Sequence, residues 1–132
     1  MKLLITASRK LTDADYRKLA AAIEKHYPTA SEILHGGAKG GDQLASRYAR
    51  ENGLLETVLH PDYEQHAPKL APLLRNTELV KLADATLAVY ADKKSGGTLD
   101  TATKTLKAGK PLVELNATTG TTEQHEPPQT LF

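Results

Sequence analysis

At 132 residues the chain has the length of one domain, with enough material for a core that needs no covalent staples. It has no cysteine, which excludes disulfides and thiolate metal sites; with no tryptophan and one phenylalanine it offers few platforms for stacking bases. Lys and Arg number 17 against 16 Asp and Glu, a net charge of +1 that gives no electrostatic reason to expect nucleic acid as a partner.

Lys2 to Ala7 reads as a buried strand. The apolar run at the N-terminus is short for a signal peptide, and no stretch approaches a membrane span. The expected location is the cytoplasm, with no membrane partner. Thr12, Asp13 and Asp15 suit a helix start, and Tyr16, Leu19, Ala20, Ile23 and Tyr27 follow at helical spacing until Pro28. Glu32 to His35 is a second strand. A glycine loop, Gly36 to Gly41, leads into a helix over 42–51 that stops at Asn52-Gly53. Leu54 to His60 is a third strand, closed by Pro61. After an irregular stretch, Pro72 opens a helix carrying Leu73, Leu74 and Val80.

Ala85 to Ala91 is a fourth strand. A second glycine loop, Ser95-Gly96-Gly97-Thr98, leads into a helix capped by Thr98 and ending near Lys107. Leu112 to Leu115 is a fifth strand. From Asn116 the composition turns to Thr, Gly, Glu, Gln and Pro, so residues 1–115 are expected to form the domain and 116–132 an extended or disordered tail. Five strands alternating with four helices give an α/β fold, a mostly parallel sheet covered on both faces. Ligands of such sheets bind beyond the carboxyl ends of the strands, where both glycine loops and Ser8-Arg9 lie.

Six of the nine glycines sit in the two loops. A glycine loop before a helix directs free amides and the positive end of a helix dipole at one point, an arrangement suited to phosphate. The first loop matches neither the dinucleotide fingerprint nor a Walker loop. Its expected contribution is the amides of Gly36, Gly37, Gly40 and Gly41, with Lys39 beside them. Asp42 is either a helix cap or a partner for a sugar hydroxyl. Arg9, Arg75 and Asn76 are candidates for the charged part of the ligand, against the alternative of solvated surface side chains. His35 ends a strand at the cleft mouth and is either a ligand contact or a packed strand end. His26, His35, His60, His66 and His125 show no metal spacing, and neither a metal nor a cofactor is expected.

The set Ala7-Ser8-Arg9, His35-Gly36-Gly37-Ala38-Lys39-Gly40-Gly41-Asp42, Arg75-Asn76, Ala83-Asp84 and Ser95-Gly96-Gly97-Thr98 resembles the SLOG superfamily, in its YspA/YpsA-related branch. LOG phosphoribohydrolases and DprA are more distant members of the superfamily. The resemblance implies a Rossmann-like three-layer sandwich with a five-stranded, mostly parallel sheet, binding a nucleotide or nucleotide-derived ligand at the glycine loops. Two departures stand out. Ala7 replaces a glycine common in the branch. The LOG pattern PGGxGTxxE places Thr101 at its catalytic glutamate, with Asp100 one residue early and so turned by about 100° on a helix.

Two functions follow as expectations. The first is a sensor-type protein that binds a nucleotide-like small molecule. The alternative is an N-glycosidase acting on nucleoside monophosphates, with Asp100 as its carboxylate. DNA binding of the DprA kind is weighed against by the charge balance and the scarcity of aromatics. Self-association is open, since no apolar stripe singles out an interface.

Overall fold

The computed structural model describes residues 1–127. Its elements are β1 (Lys2–Ala7), a 3-10 turn (Asp13–Asp15), α1 (Tyr16–His26), β2 (Glu32–His35), α2 (Gly41–Glu51), β3 (Leu55–Val58), α3 (Ala71–Leu82), β4 (Ala85–Tyr90), α4 (Gly96–Lys107), β5 (Leu112–Asn116) and β6 (Thr122–His125). The sheet runs β3-β2-β1-β4-β5-β6. All pairings are parallel except β5 with β6.

Alternation along the strands divides the core between two layers, because successive side chains point to opposite faces. Leu3 and Ile5 join Leu87, Val89, Val113 and Leu115 beneath α1 and α2, against Leu19, Ile23, Leu44 and Tyr48. Leu4 and Leu34 face Leu79 and Val80 of α3 on the other side. Ala88, Tyr90 and Leu112 meet Ala102 of α4. The two central strands, β1 and β4, carry the burial that a doubly covered parallel sheet requires.

The sheet has six strands where five were expected. Thr122 to His125 lie in the expected tail, yet they pair antiparallel with Leu112–Leu115 after a turn closed by the Gly120 amide on the Asn116 carbonyl. An edge strand needs no apolar run, so the polar sequence concealed it. Residues 128–132 of that tail lie outside the described residues. At the other edge β3 is shorter than expected, and Leu55 is 70% exposed.

Candidate functional site

Chain order reverses between β1 and β4, and a cavity of about 450 Å³ opens beyond their carboxyl ends. Residues from both glycine loops line it: Gly36, Ala38 and Asp42 from the first, Ser95 to Thr98 from the second. Ser8, Arg9, Lys10, Arg75 and Asn76 complete the polar wall. Among the expected site residues, His35, Gly37, Lys39, Gly40 and Gly41 lie outside the lining.

Three of the four amides expected from the first loop are already taken. Asp42 is buried, and its Oδ2 accepts the Gly36 amide at 3.2 Å and the Ala38 amide at 3.0 Å. The Gly37 amide donates to His35 Nδ1 at 3.0 Å, and the Gly41 amide to the Ser8 carbonyl at 3.0 Å. The loop therefore already holds an anion, and that anion is its own aspartate. Gly40, not Asp42, is the N-cap of α2, so Asp42 sits in the first turn and reaches back over the loop. Burial pushes the Asp42 carboxyl up from its ordinary value, while the Ala38 and Gly36 amides and the Arg75 guanidinium pull the other way.

The glycines of this loop answer to packing. A Cβ on Gly36 would collide with the Arg75 guanidinium, on Gly37 with His60, on Gly40 with the Arg9 backbone and on Gly41 with the Ala7 side chain. His35 is a packed strand end. A backbone N–H can only donate, so Nδ1 is the acceptor and Nε2 carries the proton, donated to Glu56 Oε2 at 2.7 Å.

The second loop is the reverse case. Ser95 is the N-cap of α4, where Thr98 was expected; Thr98 is buried in the first turn. The first backbone bond of α4 runs from the Leu99 amide to the Ser95 carbonyl, so the amides of Gly96, Gly97 and Thr98 have no acceptor among the described residues. A Cβ on Gly96 would meet nothing within 4 Å, and on Gly97 only Asn76 Nδ2 at 3.9 Å. Gly96 has a φ of +63°, a conformation that favours glycine, and neither position is crowded by protein.

Arg75 crosses the floor between the loops. Its Nη1 donates to the carbonyls of Gly36 at 2.8 Å and Leu59 at 3.2 Å, and its Nε to Asn76 Oδ1 at 2.8 Å. Burial lowers its pKa from the ordinary arginine value, with the charge of Asp42 opposing that shift. Asn76 Nδ2 donates in turn to Asp100 Oδ2 at 3.1 Å, which also accepts Lys104 Nζ at 2.9 Å. Asp100 is thus turned towards α3 and lies outside the cleft lining, which corrects its expected catalytic position. Thr101 lines the cleft instead, as a rotation of about 100° per residue dictates.

Sequence reasoning missed Tyr90, Asp92 and Lys93 at the end of β4, all part of the lining. Their position straight after a central parallel strand was the available signal. Arg9 makes no ion pair with Asp13 among the described residues; it is Lys10 that pairs, with Asp92 at 3.4 Å. No helix of the described residues is long and apolar enough to cross a membrane.

A doubly covered sheet with its cleft at the point of strand reversal defines a Rossmann-like three-layer α/β protein. Residues 1–66 match the model of the YspA, cpYpsA-related SLOG family, and the chain belongs to that family. The Gene 61 protein of Mycobacterium phage D29 is 36% identical over 118 residues, 85% of this chain and 94% of that protein. Two DprA structures share the fold. The Streptococcus pneumoniae protein has a TM-score of 0.69 at 17% identity, over 86% of this chain and 50% of its own. The Helicobacter pylori protein, described for its single-stranded DNA binding mode, has a TM-score of 0.66 at 19% identity, over 99% of this chain and 66% of its own. A third structure, TM1055, has a TM-score of 0.58 at 22% identity, over 84% of this chain and 71% of its own. The chain thus spans half of one DprA and about two thirds of the other.

The expectation that nucleic acid is not a partner is overturned by the likeness to DprA, one of whose structures is described for binding single-stranded DNA. The physical error lay in using net charge. A sum over the whole chain hides where charges sit, and Arg9, Lys10 and Lys93 all line the cleft.

Proposed function

We propose that the cleft binds a nucleotide, with its phosphate on the amides of Gly96, Gly97 and Thr98 at the N-terminus of α4. The observation that carries this reading is the contrast between the loops. In the first the amides of Gly36, Gly37, Ala38 and Gly41 are taken by Asp42, His35 and Ser8, and Lys39 and Gly40 lie outside the cavity lining; in the second the amides of Gly96, Gly97 and Thr98 line the cavity with no acceptor among the described residues. Helix dipole and free donors act together on an anion there. The Ser8 hydroxyl accepts the Lys10 amide at 3.2 Å and keeps its own proton for the ligand. Arg9, exposed at the cleft edge, adds charge.

Binding without hydrolysis fits the carboxylates better than the glycosidase alternative. Asp100 faces α3, Asp42 is committed to loop amides, and Asp92 holds Lys10 and the Lys93 amide. Asp92 alone is an exposed carboxylate of the lining, and it is shared between Lys10 and the Lys93 amide. Calorimetric titration tests the reading: AMP binds and adenosine does not, and no free base is released from AMP. Equal binding of the two, or base release, contradicts it.

A second reading, favoured by the DprA likeness, makes the nucleotide one unit of a single strand that passes over Arg9, Lys10 and Lys93. It is separated from the first by comparing AMP with a short oligothymidylate in the same assay.

A further inference from the structure

The far edge of the sheet carries a second cluster, adjacent to the main cleft through Tyr90 and Lys94. Glu114 of β5 stands directly opposite Glu123 of β6, and His125 follows two residues on, on the same face. Like charges directly opposite across a strand pair repel, so the arrangement favours a cation between them. Their donor atoms, two carboxylate oxygens and one imidazole nitrogen, all lie within 4.8 Å of one another. His125 Nε2 is 2.8 Å from Glu114 Oε1 and 3.8 Å from Glu123 Oε1. Lys94 Nζ now serves as the cation, at 2.9 Å from Glu114 and 3.9 Å from Glu123, from a half-exposed side chain on a loop.

A second observation points to a ligand. Tyr90 is two residues beyond Ala88, the register partner of Glu114, so it shares the face of Glu114. Tyr90 is only 4% exposed, and its hydroxyl lies beside the Glu114 carboxylate without a well-formed hydrogen bond to any described residue. A buried, unpaired hydroxyl is costly and calls for a partner. Tyr90, Glu114, Glu123 and Lys94 all line one cavity of about 310 Å³.

We infer that Glu114, Glu123 and His125 form a divalent transition-metal site of the zinc class, with the buried Tyr90 hydroxyl beside the Glu114 ligand. One imidazole and two carboxylates are a donor set that such ions accept, and three protein ligands leave a position for water. Metal displaces Lys94, the residue just before the N-cap of α4, and so adds a free positive charge beside the loop of the main cleft.

The test is calorimetric titration of the metal-stripped full chain with Zn²⁺, with Co²⁺ absorption as a spectroscopic check on coordination. A single ion binds the native chain. His125→Ala and Glu123→Gln, both at a solvent-facing edge strand, each weaken it by at least the roughly ten- to hundred-fold that loss of even an outer-shell partner costs. Lys94→Met, which removes the competing ammonium, tightens binding, and this arm decides the matter should either edge variant fail to fold by circular dichroism. Absence of binding to the native chain overturns the inference. So does binding that is unchanged in His125→Ala and Glu123→Gln, or Zn²⁺ affinity that is unchanged in Lys94→Met.

Discussion

The Asp42 carboxylate accepts the Ala38 amide at 3.0 Å and thereby occupies the anion position of its own glycine loop. The Gly36 amide shares the same oxygen at 3.2 Å. Removal of the carboxylate leaves both donors without an acceptor. Asp42→Ala therefore costs about 1–3 kcal/mol for each amide left unpaired, while Asp42→Asn, which keeps an acceptor oxygen, costs less. Urea denaturation of the two variants measures the difference. Equal stability of native and Asp42→Ala chains contradicts the structural role.

Arg75 joins the two halves of the cleft floor through Gly36, Leu59 and Asn76. Lysine carries the charge but not the planar fork, and it cannot reach three acceptors at once. Arg75→Lys is expected to lose about 1.5–3 kcal/mol, the worth of a charge-assisted hydrogen bond. Thermal unfolding reads the loss directly. AMP affinity falls as well, since the Gly36 carbonyl and Asp42 are no longer held.

Two carboxylates shift in opposite directions, and acid distinguishes them. Hydrogen bonds from Ser46 and His35 hold the Glu56 carboxyl below its ordinary value of 4.5. Its contribution is present above that value and is lost as pH falls through the lower folded value. Burial instead raises Asp42 above its ordinary 3.8. Its contribution is full below 3.8 and is lost as pH rises through the raised folded value. Glu56→Gln should therefore flatten the acid loss of stability, and Asp42→Asn should steepen it. Denaturation midpoints measured between pH 3 and neutrality check both signs.

If the ligand is a single strand, the lining cations contact phosphates and binding is salt-dependent. Lys93→Ala is then expected to weaken oligothymidylate binding at every sequence and to lower the salt slope by about 1. Fluorescence anisotropy across a salt series measures it. An unchanged slope removes Lys93 from the path of the strand.

The sheet and its cleft were legible because β1, β4 and β5 are nearly continuous apolar runs and both loops are marked by glycine. What stayed hidden depended on geometry between residues. Thr122 to His125 pair as an edge strand without any apolar signature. That Asp42 reaches the Gly36 and Ala38 amides depends on α2 starting at Gly41, one residue before the expected start. The rotation of about 100° between Asp100 and Thr101 was legible, but that it turns Asp100 onto Asn76 and Lys104 depends on how α4 packs against α3. Glycine composition marks a close approach but does not say whether protein or ligand makes it. Gly41 faces Ala7, whereas Gly96 faces open space.

Gly97→Asp puts the central claim to the most direct test. A carboxylate in the first turn of α4 favours the helix through its dipole and removes a flexible glycine, so thermal stability holds or rises. The same carboxylate occupies and repels the proposed phosphate position. Titration of AMP into this variant should show binding lost with the fold intact; AMP bound as tightly as by the native chain would place the ligand elsewhere and contradict the account.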